Sequence, residues 1–283
     1  MKRNKFYLLA AATALFLSAC NNEEVPGTQE SDLARFTGSI EGVKTRAYDT
    51  TWENGDAIGI IGGGYTDIRY VHHNGLWAVE DASGPILFQT PDDVDFTAYY
   101  PQGAETTDVT IGANTAQRKI DFLYGTGTGG VRTDGVVDFS FSHRMSRLVL
   151  NFIAGPGVDL ADLSGYTLSG LSMTGSFDTA TGTAYATGAA SDLTMDATGI
   201  TSSSLILFPQ EGYEATLKVA LGGQTFTATL NLPMADVMNG LESGYSYSYN
   251  VTIKKEGLSI TQAGIEPWEN AQVENSGNVN ATI

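Results

Sequence analysis

Apolar and polar residues alternate with a period of two along most of this chain, which is the spacing of a β-strand with one buried face. The longest such run covers residues 245–253, where Tyr, Val and Ile occupy every second position between Ser, Asn and Thr. An amphipathic helix would repeat its apolar positions every three or four residues instead. The same alternation predicts further strands at residues 34–40, 94–100, 148–152, 215–221 and 226–232. The pattern therefore predicts an all-β protein.

Turn signals separate these runs of alternating residues. Asn74-Gly75 lies between two apolar segments and predicts a two-residue hairpin turn, and Gly222-Gly223 predicts another. A further short strand is predicted at residues 85–88. Helical periodicity is weak, because only residues 160–163 and 234–238 show it, and each segment would form a turn or two.

Short strands that are punctuated by Gly and Pro are typical of β-sandwiches. About 250 residues follow the N-terminal tether described below, which is enough for two domains of ordinary size. We therefore predict two tandem β-sandwich domains, residues 33–137 and 138–283. The boundary is placed after the Gly-rich stretch 125–135.

The composition is that of a folded, acidic protein. The 283 residues include 15 Lys and Arg against 32 Asp and Glu, so the formal net charge is −17. Such a surface repels nucleic-acid phosphates and anionic lipid headgroups, and nucleic acid is therefore not an expected partner. Hydrophobic residues make up 42% of the chain, which is too many for a disordered protein.

The N-terminus has the layout of a secretory signal peptide, residues 1–19. A basic start precedes the apolar run 6–17, which is too short to span a bilayer as a helix. The segment Leu17-Ser18-Ala19-Cys20 resembles a bacterial lipobox, which implies that Cys20 becomes the first mature residue and carries lipid. The alternative is an ordinary signal peptide with an incidental cysteine. Because Cys20 is the only cysteine in the chain, no internal disulfide can form.

Residues 20–32 are polar and are predicted to form a lipidated, flexible tether. Glu23 and Glu24 resemble the acidic signals that send some lipoproteins to the outer face of the outer membrane. Two or more acyl chains on Cys20 would hold the protein there stably. We therefore predict a surface-exposed protein whose membrane partner is the outer membrane.

Three groups of segments resemble proteins of the fimbrillin family, the lipoprotein pilins of type V pili. Their order and spacing follow the family along nearly the whole chain. The segments are residues 45–47 (TRA) and 51–60 (TWENGDAIGI), then 94–101 (VDFTAYYP), 121–124 (DFLY) and 139–148 (FSFSHRMSRL), then 241–247 (LESGYSY), 257–260 (GLSI) and 265–268 (IEPW). The resemblance implies two tandem transthyretin-like β-sandwich domains and a role in adhesive surface polymers.

The resemblance also implies a way of assembling. In the family, a protease cuts after an Arg in the loop that follows the first strand, and a strand of another subunit then fills the vacated groove. A sandwich that lacks an edge strand exposes apolar side chains and unpaired backbone groups, so it favours such strand addition. The other pilin subunits are therefore the expected protein partners.

The bond in this chain that matches the family's cleavage site joins Arg46 and Ala47, and Lys44 is a weaker candidate for the residue before the cut. The alternative is that Arg46 is an ordinary loop residue. The displaced first strand would carry the apolar residues Ala34, Phe36 and Ile40.

The last residues, 271–283, make a weak donor strand. Large apolar residues are few there, and period-two spacing is limited to Val279, Ala281 and Ile283. The sequence therefore leaves four roles open for this chain in a fimbrium: tip, anchor, minor subunit or shaft subunit.

Two triplets, Asp49-Thr50-Thr51 and Asp178-Thr179-Ala180, resemble the Asp-Thr-small pattern of bacterial protein O-glycosylation. Both triplets fall in predicted loops. Thr50 and Thr179 are therefore candidate glycosylation sites, although each triplet is short enough to occur by chance.

An enzyme is not predicted. The chain has no nucleophile elbow, no phosphate-binding loop and no HExxH motif. His72 and His73 are expected to be a solvated pair at a hairpin, since neighbours on a strand point to opposite faces, and His143 is expected to make structural hydrogen bonds. The acidic run Asp92, Asp93 and Asp95 lacks the remaining ligands of a calcium loop. We therefore expect no catalytic residue, no metal site and no cofactor.

These observations predict a surface-exposed lipoprotein subunit of a fimbrium that acts through strand exchange. The alternative is a stand-alone surface adhesin that binds host protein or glycan, with Trp77 and Trp268 as candidate contact residues. Both tryptophans are also compatible with a place in the core.

Overall fold

A computed structural model describes residues 32–41, 51–89, 92–128 and 135–268 of this chain. The predicted signal peptide and lipidation site Cys20 lie outside the described residues, and so do Lys44, Arg46, Ala47, Thr50 and the segment 271–283. Within the described residues, no helix is long and apolar enough to cross a membrane.

The first half of the described chain forms one large sheet. Its strands are β1 (Arg35–Ile40), β2 (Ala57–Gly62), β3 (Tyr65–His73), β4 (Leu76–Val79), β5 (Phe96–Tyr100), β6 (Val109–Thr110), β7 (Leu123–Thr128) and β8 (Val136–His143). All of them except β6 belong to a seven-stranded sheet with the order β1-β8-β7-β5-β2-β3-β4.

The second half contains shorter sheets that pack around another core. Its strands are β9 (Ser146–Ala154), β10 (Leu163–Ser172), β11 (Thr174–Asp178), β12 (Thr183–Ala186), β13 (Ala190–Asp196), β14 (Ser202–Leu207), β15 (Gln210–Glu211), β16 (Glu214–Leu221), β17 (Gln224–Asn231), β18 (Gly240–Leu241), β19 (Tyr245–Lys254) and β20 (Gly257–Pro267). They form two four-stranded sheets, β14-β9-β19-β20 and β13-β10-β16-β17, while β12-β11-β6 and β15-β18 make small sheets. The predicted all-β fold with sandwich-like sheets is confirmed.

The predicted hairpins are also confirmed. Asn74 and Gly75 join β3 to β4 with φ angles of 52° and 88°, and Gly222 and Gly223 join β16 to β17 with φ angles of 57° and 78°. Two successive positive φ angles give the turn a twist that matches the twist of its flanking strands.

The helical predictions fare less well. Residues 160–163 hold one 3-10 turn, Leu160–Asp162. Residues 235–239 form bends, so the helix predicted at residues 234–238 is wrong. The backbone N–H groups of residues 235–238 all donate to the carboxylate of Glu242, at 2.8–3.2 Å. A side-chain acceptor has therefore replaced the carbonyl acceptors that a helix would have used.

Two clusters of buried side chains fill the molecule. The first cluster lies under the seven-stranded sheet and includes Phe36, Ile58, Ile60, Phe96, Phe139 and Phe141. The second cluster lies between the later sheets and includes Leu148, Leu150, Phe208, Leu217, Tyr247 and Val251. Phe122, which precedes β7, belongs to the second cluster, and its ring stacks on Phe177 at 4.7 Å between centroids.

Asp138, where the sequence analysis placed the domain boundary, lies inside β8. That strand pairs with β1 and β7 and sends Val137, Phe139 and Phe141 into the first cluster. The change from the first sheet to the second falls after His143, between β8 and β9. The division into two tandem domains stays a prediction.

We predict that Glu242→Gln lowers the free energy of unfolding at neutral pH by about 2–3 kcal/mol, because an amide accepts the four N–H bonds less strongly than a carboxylate. Burial of the Glu242 carboxyl opposes its ionisation, but the four N–H donors outweigh burial, and the pKa of Glu242 lies below its ordinary value. The carboxylate therefore stabilises the fold above the unfolded-state pKa, and this stability is lost as the pH falls through the lower folded-state pKa.

Denaturant unfolding at several pH values checks this prediction. The difference between Glu242→Gln and the unchanged chain should shrink as the pH is taken below about 4. The matched control is Glu211→Gln, which changes an exposed carboxylate in the neighbouring strand β15 and should alter stability by less than about 0.5 kcal/mol. Equal stability of all three chains at neutral pH would contradict the role given to Glu242.

Candidate assembly site: the first strand and its groove

Strand β1 is an edge strand. It pairs in parallel with β8 in a register that runs from Arg35 opposite Val136 to Ile40 opposite Phe141, and β8 is its only partner among the described strands. Just before β1, the backbone N–H of Ala34 donates to the carbonyl of Ile86 at 3.0 Å, and the N–H of Phe88 donates to the carbonyl of Asp32 at 2.8 Å. The predicted strand at residues 85–88 is thus only an isolated antiparallel bridge, which pairs Leu87 with Leu33 just before β1.

One aromatic side chain anchors β1 in the first core. The ring of Phe36 is 5% exposed and lies 4.9 Å from the ring of Tyr70, 5.6 Å from Phe96 and 5.7 Å from Phe139, measured between centroids. Ring contacts of this kind add to the hydrophobic stabilisation from burial. Of the other two residues that the sequence assigned to the displaced strand, Ala34 is buried and Ile40 is partly buried against the same core.

Gly38, which the sequence analysis did not single out, allows the middle of β1 to pack closely against neighbouring aromatic side chains. A Cβ atom at this position would lie 2.9 Å from Cε2 of the buried Phe141 ring. The indole N–H of Trp52 donates to the carbonyl oxygen of Gly38 at 2.9 Å. A Gly inside an alternating strand often marks a position where another group approaches the backbone closely. That signal in the sequence could have identified the packing role of Gly38.

The polar face of β1 makes exposed contacts. The hydroxyl of Thr37 donates to Asp138 at 2.6 Å, and the hydroxyl of Ser140 donates to the Glu41 carboxylate at 2.6 Å. Because water competes for such exposed groups, these bonds add little to the hold on β1. The aromatic anchor, the ladder to β8 and the backbone bonds between residues 32–34 and 86–88 therefore hold β1 in place.

The segment that connects β1 to the rest of the sheet starts and ends beside Phe141. The N–H of Glu41 donates to the carbonyl of Phe141 at 2.8 Å, and the Trp52 ring lies 5.1 Å from the Phe141 ring. Arg46 and Ala47 lie between Glu41 and Trp52 in the sequence and outside the described residues. Trp52 also contacts Trp77 and Tyr100, at 5.0 and 5.5 Å between centroids.

Beyond the end of β1 lies a cavity of about 250 Å³ whose lining includes Glu41, Arg144 and Trp268. His143 lines it, and its Nδ1 lies 2.7 Å from a carboxylate oxygen of Asp121. The imidazole stacks on Trp268 at 4.1 Å, and the guanidinium of Arg147 lies 5.1 Å from the centre of the same indole. Both faces of Trp268 are covered and its side chain is buried, so it packs as a core residue.

The remaining sequence candidates lie apart from this site. His72 is buried with its Nδ1 3.2 Å from the carbonyl of Glu53, whereas His73 is exposed beside Glu80. In the described parts of the chain, no three His, Cys, Asp or Glu side chains lie close enough to share a metal ion. Thr179 is half-buried in the turn between β11 and β12, so its glycosylation stays a prediction.

A second, larger cavity of about 590 Å³ lies beside β12. Tyr185 and Val237 line it and are respectively 47% and 77% exposed, while Glu211 and Asp236 place carboxylates at the same cleft. The cleft is shaped by residues 235–238, which the Glu242 carboxylate holds in place.

The fold and this site define a class of all-β, sandwich-like proteins whose first strand sits at a sheet edge and is held by one ladder and one aromatic anchor. The sequence model described as fimbrillin-like matches residues 45–268, so this chain belongs to the fimbrillin-like family. As a member of this family, it is a fimbrial or adhesion protein and not an enzyme.

Individual relatives agree with this assignment. The chain is 28% identical to the protein named "Putative fimbrium subunit Fim1C" of Bacteroides uniformis, over 95% of this chain and 96% of the relative. It is also similar to the crystal structure of a protein called a "putative cell adhesion protein" from Bacteroides ovatus, with 29% identity and a TM-score of 0.69 over 83% of this chain and 97% of the other. A protein of the same description from Bacteroides uniformis shows 26% identity and a TM-score of 0.68, over 84% and 100% of the two chains.

We predict that Gly38→Val destabilises the protein by about 1–3 kcal/mol, because the new side chain must push the buried Phe141 ring out of place. The control is Ser39→Val, which adds a similar side chain at the exposed neighbouring position of β1 and should change stability by less than about 0.5 kcal/mol. Thermal unfolding of the two variants checks this. Equal melting temperatures would show that the groove tolerates a side chain at position 38.

Proposed function

We propose that this chain is a lipid-anchored subunit of surface fimbriae that joins other subunits by exchange of its first strand. Its membership of the fimbrillin-like family supports the fimbrial role and the surface location. The proposal goes beyond family membership in three respects: lipid on Cys20, attachment to the outer membrane, and strand exchange through the groove that β1 now fills.

The observation that carries the proposal is the position of β1 at a sheet edge, immediately before the segment that contains Arg46. A central strand would have to break two full ladders to leave, whereas β1 has to break one ladder, to β8, and the short bridge that joins residues 32–34 to residues 86–88. Burial of Phe36 and Ile40 is worth roughly 3–6 kcal/mol before the ladder hydrogen bonds are counted. This is a large share of the about 5–15 kcal/mol that stabilise an ordinary domain, so an empty groove would strongly favour a replacement strand.

The trigger would be hydrolysis of the Arg46–Ala47 peptide bond by an external protease. The reaction consumes one water and leaves a carboxylate on Arg46 and an ammonium group on Ala47. Trp52, whose indole N–H binds the Gly38 carbonyl, stays with the main body and would offer the same donor to an incoming strand. The groove is thus retained when β1 departs.

The same cut would separate the body of the protein from Cys20, because the lipidation site lies on the departing side. A cleaved chain would therefore enter a fimbrium without lipid of its own. An uncleaved chain would keep its lipid and act as an anchor or a stand-alone surface protein. Cleavage thus decides between these roles.

The second candidate function is adhesion without polymerisation. Trp268 does not support it, since its ring is covered on both faces, and Trp77 is half-buried against Trp52. The observation in its favour is the cleft lined by Tyr185, Val237 and the carboxylates of Glu211 and Asp236. Exposed aromatic and polar groups in one concave site suit a glycan or a host peptide.

We predict that Arg46→Ala prevents formation of the surface form that starts at Ala47 and abolishes polymer ladders on mild-detergent gels. The matched control is Lys44→Ala, which removes the other basic residue of the segment and should leave the Ala47 terminus intact. N-terminal mass spectrometry of chains isolated from the cell surface measures the result. Polymers built from chains that begin at Cys20 would overturn the cleavage step.

We predict that Cys20→Ala removes the lipid and shifts the uncleaved chain from the detergent phase to the aqueous phase in a phase-separation assay, because no other residue carries the proposed acyl chains. Asn21→Ala, which changes the next residue, should leave the partition unchanged. Retention of Cys20→Ala in the detergent phase would contradict lipid anchoring through this cysteine.

A further inference from the structure

We infer that the cleft of about 590 Å³ beside β12 binds a polypeptide segment of another protein in which a Lys or Arg residue stands next to apolar residues. This inference rests on the second candidate function above, adhesion, and it names the chemistry of the partner. Three features of the cleft carry it: its apolar lining, the internal bonds of its buried polar groups, and the sign of its exposed charge.

The inner lining of the cleft is apolar. Ala184 and Pro209 are buried there, and Ala186, Met238 and Tyr245 are partly buried. Contact with another apolar surface stabilises such side chains, because the contact removes both surfaces from water. The cleft therefore suits a ligand with an apolar body.

Exposed apolar side chains gather at the same end of the molecule. Tyr185 and Val237 line the cleft, while Met234 and Tyr213 lie in the two segments that adjoin it. These four residues make up most of the seven large hydrophobic residues that are exposed in the described parts of the chain. A group of exposed apolar side chains beside a concave site is typical of an interaction surface.

Two polar side chains that line the cleft are already engaged within the protein. The amide of Gln210 accepts from the N–H of Ser172 at 2.8 Å, and it donates to the carbonyls of Ser172 and Phe208 at 3.1 and 3.2 Å. The carboxylate of Glu242 accepts the four N–H bonds of residues 235–238. These bonds preform the cleft, and the charged contacts with a partner are left to the exposed side chains.

The exposed charge at the cleft is negative. Glu211 and Asp236 are exposed carboxylates, and no Lys, Arg or His is among the described residues that line the cleft. A Lys or Arg of the partner would compensate this charge, and its aliphatic stem would pack on the apolar lining. The net charge of −17 adds a long-range attraction for a basic partner.

Two other occupants match the cleft less well. Residues 269–283 of this chain contain two Glu and no Lys or Arg, so their charge is repelled by the carboxylates of the cleft. A neutral glycan would stack on Tyr185 and donate hydroxyl groups to the carboxylates, but it would leave their charge uncompensated. Charge complementarity therefore favours a basic peptide.

The test starts from a library of random heptapeptides displayed on phage, which is selected against the immobilised full chain without its signal peptide. Selection should enrich peptides that carry Lys or Arg beside an apolar residue. Selected peptides are synthesised with a fluorescent label, and fluorescence anisotropy gives their affinities. Replacement of the Lys or Arg by Gln in such a peptide should weaken binding by about three- to tenfold.

Nuclear magnetic resonance places the peptide on the protein. Methyl signals of Ala184, Val237 and Met238 should shift when a selected peptide is added, since these residues line the cleft. Ile153 is the control, because it is exposed and pairs with Thr252 near the opposite end of β19 from Tyr245. Its methyl signals should not shift.

Charge reversal in the protein gives the sharpest comparison. The variant with Glu211→Lys and Asp236→Lys should lose the preference for the basic peptide over its Gln-substituted form. The matched control carries Asp192→Lys and Glu256→Lys, which reverse two exposed carboxylates outside the cleft and give the same net charge. It should keep the preference, so it separates the cleft from the general attraction of an acidic protein for basic peptides.

The outcomes separate this inference from the candidate function on which it rests. Equal preferences of the two charge-reversal variants, or peptide-induced shifts outside the cleft, would overturn the basic partner. Shifts of the cleft signals with N-acetyllactosamine, and none with peptides, would replace the peptide by a glycan while adhesion through the cleft stands. If neither ligand shifts these signals, the cleft is not a binding site, and the candidate function falls with the inference.

Discussion

The aromatic pocket around Phe36 is the interaction on which the behaviour of the first strand depends. Tyr70, Phe96 and Phe139 come from three different strands of the seven-stranded sheet and surround a ring that β1 contributes. The pocket is built by the sheet, whereas its occupant belongs to a strand with one neighbour. An anchor of this kind holds a strand firmly, and any strand with a suitable side chain can use the same pocket.

The position of β1 limits how much else can hold it. Its backbone bonds run to β8 alone among the described strands, and its side-chain bonds through Thr37 and Glu41 are exposed. Gly38 contributes by being small, since it lets the Phe141 ring and the Trp52 indole close over the strand. The result is a strand whose fit is specific and whose removal leaves the other strands of the sheet with their own partners.

The second half of the molecule is organised by a different device, the buried carboxylate of Glu242. It accepts four consecutive backbone N–H groups and so replaces a helix turn with a fixed loop. That loop forms one wall of the larger cavity. In both halves, therefore, one side chain determines the shape of the surface that is available to a partner.

The sequence by itself determined which segments are strands and where several turns fall, because period-two alternation and pairs such as Asn74-Gly75 act over a few residues. The family segments likewise identified the class of protein, and the alternation over residues 34–40 placed Phe36 in the first strand. Only the tertiary structure decided that β1 pairs with β8, about a hundred residues away, and that Phe139 and Phe141 of β8 serve the first core beyond the expected boundary at Asp138. Alternation states which face of a strand is buried, but it does not state which strand lies beside it. For the same reason, Gly38 and Glu242 gained their roles only when distant segments came into contact.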